Sequence, residues 1–284
     1  MADADAFGGT HEVGRQRVYG DGEAASCREC EVTIGQGGGM PESSLPGGFV
    51  NAVVRVGDTV RRPASARTKF VGDLLRLFET GGWDGAPRYL GADDTGREVL
   101  SYLDGHVAWE PRQPAAVSAD ESLVAVARLV REFHDLTAGT PLAGDHEVVC
   151  HNDLSPKNTV YRLVSGALRP VAFIDWDLAA PGARIHDVAH VCWQYLGLGP
   201  AVADVGEAAR RMRLIADSYE LSDRQRLVPT VLWWQDRCWR GIETEADAGD
   251  VAMVRLRDGG VVREVQRACQ WVSDHQGALE GALQ

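Results

Sequence analysis

Apolar and polar positions repeat with two different periods along this chain, short alternation before residue 104 and mostly helical spacing after it. Asn51 to Val56 and Thr59 to Arg62 are β-rich runs divided by the turn residues Gly57 and Asp58. With the glycine turn Leu45-Pro46-Gly47-Gly48-Phe49 ahead of them they outline a three-stranded meander. Thr68 to Glu79 carries Phe70, Leu74, Leu75, Leu77 and Phe78 and predicts one amphipathic helix. Tyr89-Leu90-Gly91 and Glu98 to Leu103 flank the turn Asp93-Asp94-Thr95-Gly96 and predict a hairpin. Beyond it, Glu121 to Leu136 sets Leu123, Val126, Ala127, Val130 and Phe133 on one side of a helix, and further helices are predicted at 186–196, 203–219, 222–241 and 259–279. The apolar run Leu168 to Ile174 breaks the helical pattern and reads as a strand closing a β-hairpin.

Residues 1–39 are rich in Gly, Ala and charge, have little apolar periodicity, and end in Gly37-Gly38-Gly39 before Met40. They read as an extension without fixed structure. The chain of 284 residues, 44% hydrophobic and 25% charged, has ample material for a two-lobed globular protein. No apolar run approaches the roughly 20 residues of a spanning helix, and the acidic N-terminus lacks the basic and apolar regions of a signal peptide. A cytoplasmic protein without a membrane partner is expected.

The net charge of −12 opposes a nucleic-acid backbone as partner and suits a cationic ligand. Of six cysteines, Cys150, Cys192, Cys238 and Cys269 read as small core residues or free thiols. Cys27 and Cys30 have metal-type spacing but no second pair, with only His11 nearby.

The densest chemistry lies in His151-Asn152-Asp153-Leu154-Ser155-Pro156-Lys157-Asn158 and, shortly after, Phe173-Ile174-Asp175-Trp176-Asp177. A carboxylate and a carboxamide on one Pro-containing loop can divide two tasks, one orienting a hydroxyl and the other holding a metal ion. The hairpin then returns a second carboxylate toward that loop. Magnesium takes oxygen ligands, usually only one or two from protein, and Asn158 with Asp175 would meet that need.

The H-x-D-x-x-x-x-N loop followed by an Asp between apolar residues resembles the machinery of kinase-fold enzymes. The Ile-Asp-Trp-Asp form is similar to the aminoglycoside phosphotransferase family rather than to protein kinases, and the resemblance spans about residues 41 to 260. It implies a bilobal, protein-kinase-like α+β fold: a small antiparallel β lobe with one helix at 40–104 and a larger, mainly helical lobe at 105–284. It also implies transfer of the γ-phosphate of ATP or GTP, with Mg2+, to a hydroxyl of a small molecule. Asp153 would be the catalytic base, Asn158 and Asp175 the metal ligands, and Asp187 a buried brace for the loop. Lys157 would meet the γ-phosphate. His151 would fix the loop by hydrogen bonds, and Asp177 would give either a metal contact or a cap.

The chain departs from the kinase pattern at the phosphate-gripping cation. Its only lysines are Lys69 and Lys157, so the third-strand position falls to Arg61 or Arg62. Strand alternation sends these to opposite faces, and Arg62 is the preferred one. Arginine would grip phosphate bidentately. Its expected carboxylate partner is Asp73 or Glu79 on the first helix. Gly47 and Gly48 would bring backbone N–H groups to the phosphates, and Ser101-Tyr102-Leu103 would be the hinge that meets the base.

The acceptor would lie among the later helices, where Trp193, Trp233, Trp234, Trp239 and Trp271 mix with Asp236, Glu243, Glu245 and Asp247. Acidic groups beside aromatic faces suit a polyamine such as an aminoglycoside, although tryptophans at helical spacing also build cores. An amino alcohol or sugar acceptor is the alternative, and so is a nucleotide-binding scaffold that has lost turnover. A protein kinase is disfavoured, since no Ser, Thr or Tyr lies between Asp177 and Asp187. The character of residues 1–39 predicts that translation starts at Met40. Intact mass spectrometry of the natively expressed protein should give a mass beginning there, and a Met1 terminus would overturn the expectation.

Overall fold

A computed structural model describes residues 41–45, 53–110 and 112–284. The predicted extension at 1–39, Cys27, Cys30, Gly47 and Gly48 lie outside the described residues. The early β runs form β1 (Glu42–Ser44), β2 (Val54–Val56) and β3 (Thr59–Arg62), and the predicted hairpin forms β4 (Tyr89–Ala92) and β5 (Glu98–Ser101). They make one antiparallel sheet in the order β1-β2-β3-β5-β4. The crossover between β3 and β4 is α1 (Thr68–Thr80), which buries Val71, Leu74, Leu75 and Phe78 at helical spacing and stops at Gly81.

The rest is mainly helical, with two small β elements inserted. α2 (Asp120–Thr137) leads to β7 (Val148–Cys150), after β6 (His106–Val107). The hairpin β8 (Thr159–Val164) and β9 (Ala167–Phe173) follows and pairs with β6, while β10 (Ala180–Gly182) returns to pair with β7. Then come α3 (Arg184–Leu196), α4 (Val205–Tyr219), α5 (Leu227–Asp247), α6 (Val251–Asp258), α7 (Val261–Asp274) and α8 (Gln276–Gly281).

Two helix boundaries differ from the sequence expectation, each for a local reason. The helix expected at 222–241 begins with a 3-10 turn at Arg224–Arg226 and continues to Asp247, because Cys238, Ile242 and Ala246 prolong its buried stripe. The helix expected at 259–279 is two helices, α7 and α8, and α6, which was not expected, precedes them. Asp250 caps α6 by accepting from the Ala252 and Met253 N–H groups at 2.8 and 2.9 Å, and Gly260 at φ 87° ends that helix and starts α7. His275 then separates α7 from α8.

A single apolar core joins α1 and the sheet to the large helical part. Its aromatic centre is Phe78, Trp83, Phe133, Phe173 and Trp176, with the Phe78 ring 4.9 Å from Trp83 and 5.0 Å from Trp176. Trp176 follows Asp175 directly, so this packing also fixes the loop that carries Asp175. Among the described residues no helix is long and apolar enough to cross a membrane. Phe78→Ala should cost about 3–5 kcal/mol of stability, read as a lower urea midpoint; a loss under about 1 kcal/mol would show that α1 is not anchored through this ring.

Candidate active site

The loop at 151–158 leaves the fully buried strand β7 and is held from beneath by Asp187 on α3, itself fully buried. Asp187 Oδ2 accepts the His151 N–H at 2.7 Å, and Oδ1 accepts the Asn152 N–H at 2.9 Å. His134 on α2 donates from Nε2 to Asp187 Oδ2 at 3.0 Å and accepts the Tyr219 hydroxyl at Nδ1, 2.7 Å away. Burial alone would raise the Asp187 pKa, but the hydrogen bonds from His134 and from the loop N–H outweigh it and hold it low. The carboxylate thus stays ionised and pins two successive backbone amides. Asn152 can consequently keep φ 63°, an unusual conformation for a non-glycine residue.

His151 ties the same loop to the Asp175 segment. Its Nε2 donates to the Ile174 carbonyl at 3.1 Å, which leaves Nδ1 to accept the Asp153 N–H at 3.3 Å. Asn152 Nδ2 adds a bond to the Leu178 carbonyl at 2.9 Å. Ile174 N–H donates to the Asn158 carbonyl at 2.9 Å, so both halves of the motif form one rigid unit.

Within that unit Asn158 Nδ2 donates at 2.8 Å to both Asp153 Oδ2 and the Asp153 carbonyl. Its amide oxygen is then left for another use. Asp153 Oδ1 is buried and has no hydrogen-bond partner, an acceptor ready for an O–H donor. Burial pushes the Asp153 pKa up to about 7; Lys157 opposes the rise, and Asp175 and Asp177 reinforce it. The three carboxylates and Lys157 therefore act on one small volume. Asp175 is exposed there at φ 66° and precedes the short 3-10 turn Trp176–Leu178. Oxygen donors of this kind, one amide and one carboxylate, fit magnesium.

Of the two strand arginines, Arg62 is the one at this site. Its Nη2 lies 2.7 Å from Asp177 Oδ1 and its Nε 2.7 Å from Glu98 Oε2, whereas Arg61 turns away to Asp93 at 3.4 Å. Burial works against the Arg62 charge, but Asp177, Glu98 and Asp175 together raise its pKa. The expected helix partners do not reach it. Asp73 pairs with Lys69 and Arg76 on its own helix, and Glu79 is exposed at the end of α1. The partner is Glu98 on β5, which sequence reasoning missed. The signal was a lone charge on the face it shares with buried Leu100, directly across the ladder from Arg62.

The hinge is partly spent internally. Ser101 N–H donates to the Arg88 carbonyl at 2.9 Å, Ser101 Oγ accepts from Arg88 N–H at 2.8 Å, and Tyr102 N–H donates to the Asp58 carbonyl at 2.8 Å. Leu103 is half-buried beside them.

Beside the loop, α3 packs against α5. His190 Nδ1 donates to the Leu154 carbonyl at 2.9 Å, and the Trp234 ring lies 5.1 Å from His190. Burial, then the Asp153 charge, pushes the thiol of Cys238 on α5 up to about 12, with Lys157 acting against. Trp193 is buried, while Trp233 is 44% exposed and stacked on His186 at 5.1 Å. The acidic groups expected to greet a polyamine are largely taken: Asp236 pairs with Arg240 at 2.8 Å and Asp247 with Arg257 at 2.7 Å.

A model of a phosphotransferase enzyme family matches residues 140–227, which include the 151–158 loop, Asp175 and Asp187. The chain is 32% identical over 212 residues to the trifolitoxin immunity protein of Rhizobium leguminosarum bv. trifolii, covering 65% of this chain and 76% of that protein. In structure it is similar to a choline/ethanolamine kinase family protein from Mesorhizobium loti, with a TM-score of 0.54 at 16% identity over 86% of this chain and 92% of the other. It is also similar to an ethanolamine kinase of Plasmodium vivax, with a TM-score of 0.53 at 11% identity over 86% and 81%. These two likenesses are of fold.

The buried histidines around the loop set a pH dependence. Burial lowers His134, His151 and His190 from the ordinary 6.5, the latter two to about 4, so folding keeps them neutral where the unfolded chain would charge them. Asp153 has the opposite sign, because the folded state holds its proton up to about 7. Between these limits His151 and His190 give the unfolded chain about two extra protons and Asp153 gives the folded chain about one, a net of about one, and His134 and His186, also lowered by burial, add to the unfolded side. Stability should therefore fall as the pH drops from 6.5 toward 4, by about 1.4 kcal/mol per unit or more. Urea midpoints across that range check this, and a flat profile would mean that the histidines are charged in the folded protein.

Proposed function

Because this chain belongs to the phosphotransferase enzyme family and has its bilobal, protein-kinase-like α+β fold, we propose that it moves the γ-phosphate of ATP, or of GTP, to a hydroxyl of a small molecule. The carrying observation is the pairing of Asp153 with Asn158: one carboxylate oxygen is held by the amide and the other is buried without a partner. Residues 40–104 serve as the nucleotide lobe and 105–284 as the catalytic and acceptor lobe.

Asp153 Oδ1 accepts the hydrogen of the attacking hydroxyl and aligns its oxygen with the phosphorus; a pKa near 7 suits a base that must take that proton near neutral pH. Asn158 and Asp175 would hold Mg2+, which neutralises charge on the phosphate oxygens when bound. Lys157, whose charge already acts on Asp153, meets the transferred phosphate, and Arg62 grips the phosphates behind it. Leu103 supplies backbone groups to the base, with Ser101 supporting it through Arg88. Positioning and charge stabilisation account for most of the catalysis in such transfers.

The acceptor enters along α3 and α5, past His190, Trp234 and Cys238. The 32%-identical relative is named for immunity to a toxin, which favours a toxic compound of antibiotic type over a housekeeping metabolite. An amino alcohol acceptor is the second reading, favoured by the fold likeness to choline and ethanolamine kinases.

ADP release from MgATP should be stimulated by one class in a panel of aminoglycosides, other antibiotics, amino alcohols and sugars. Asp153→Asn should lower that rate by about 10²–10⁴-fold while leaving MgATP affinity within a few-fold. Undiminished turnover in the mutant would dismiss Asp153 as base. Tight MgATP binding without turnover on any acceptor would favour a nucleotide-binding scaffold.

A further inference from the structure

Arg62 meets two carboxylates that differ in how they are held. Glu98 is 2% exposed and stands on β5 as the direct ladder partner of Arg62, so backbone register fixes its place. Asp177 has a side chain 35% exposed and sits on the one-turn segment after Asp175. Glu98 Oε2 takes the Nε side of the guanidinium at 2.7 Å, and Asp177 Oδ1 takes Nη2, also at 2.7 Å. The other Glu98 oxygen, Oε1, is buried with no hydrogen-bond partner, so this carboxylate is committed to Arg62 alone.

We propose that Glu98 is a positioning residue for nucleotide binding, a role that rests on the reading of Arg62 as the phosphate-gripping cation. Glu98 locks the Nε edge of Arg62 so that Nη2 faces the cleft, where a nucleoside triphosphate takes the place that Asp177 occupies. A guanidinium is planar, and holding one edge fixes the direction of the other. A phosphate oxygen is the same kind of partner for Nη2 as the Asp177 carboxylate and can exchange with it without moving the sheet. Asp175 and Asp177 both face this arginine electrostatically, so the site needs a fixed cation before more negative charge arrives. Since α1 contributes no carboxylate to Arg62, the grip does not depend on that helix shifting. Asp73 is spent on Lys69 and Arg76.

The test is equilibrium binding of MgATP or MgGTP, whichever the wild-type full chain binds, beside the matching nucleoside, to wild type, Glu98→Gln, Glu98→Asp, Arg62→Ala and the Glu98→Gln/Arg62→Ala double variant. Glu98→Gln should weaken the triphosphate by about tenfold or more and leave the nucleoside within about twofold. Glu98→Asp, which keeps the charge and carries the test if the glutamine variant does not fold, should show a smaller loss of the same kind. On the Arg62→Ala background the Glu98 change should have no further effect, because the two act through one contact. Unchanged triphosphate binding in folded Glu98 variants, or equal losses of triphosphate and nucleoside, would overturn the role of Glu98 alone. A wild-type chain that binds no triphosphate would instead overturn the phosphotransferase reading and this inference with it.

Discussion

The buried Asp187 carboxylate is the interaction on which the rest of the site depends. It is fully removed from water yet kept ionised by His134 and two consecutive amides of the 151–158 loop. A buried charge is tolerable only when its hydrogen-bonding capacity is filled, and here the filling partners are the backbone that carries Asp153. Removing the carboxylate would leave two loop amides and a histidine without their acceptor and release Asn152 from its left-handed conformation. Loop geometry and fold stability are thus one quantity in this protein. His134 extends the link to Tyr219 at the end of α4, so three helices converge on the same carboxylate.

A second set of contacts crosses from the sheet to the segment after β9. Arg62 reaches Asp177, Arg67 donates to the Ala179 carbonyl, and Phe78 packs on Trp176. The stretch 175–179 is therefore held from above by α1 and β3 and from the side by Asn152 and His151. Continuity of the apolar core between the two parts supports the same arrangement. Such a frame suits chemistry that works by holding charged groups in fixed positions, since a preorganised site needs little rearrangement when charge develops.

Around α5 and α6 the acidic groups are less available than composition suggests. Several of the acidic side chains are paired with arginine, as at Asp236, Asp247 and Glu207. Beside the 151–158 loop, α3 sets His190, bonded to the Leu154 carbonyl, against the Trp234 ring of α5.

Local sequence determined the elements and the motif. The helical stripe of α1, the β8–β9 hairpin and the H-x-D-x-x-x-x-N loop with its following Asp could be read directly, because periodicity, turn residues and spacing are properties of neighbouring positions. The sequence also narrowed the cation expected on the third strand to Arg61 or Arg62, since the only lysines lie elsewhere, and alternation allowed just one of the two to face the cleft. Its reach ended where partners come from distant segments. Glu98 was missed because it lies 36 positions from Arg62 and meets it only through the β3–β5 register, while Asp73 was satisfied by its own helix. Asp247 looked available until folding set Arg257 beside it across the α5–α6 corner, whereas the Asp236 partner, Arg240, lies one turn on along the same helix. The pKa of Asp153 is likewise a tertiary property, raised chiefly by burial and tuned by charges that folding brings to it. The chain itself thus specified which chemical groups are present and on which element each rides; only the packed structure decided which charges meet, because that depends on long-range register and on the exclusion of water.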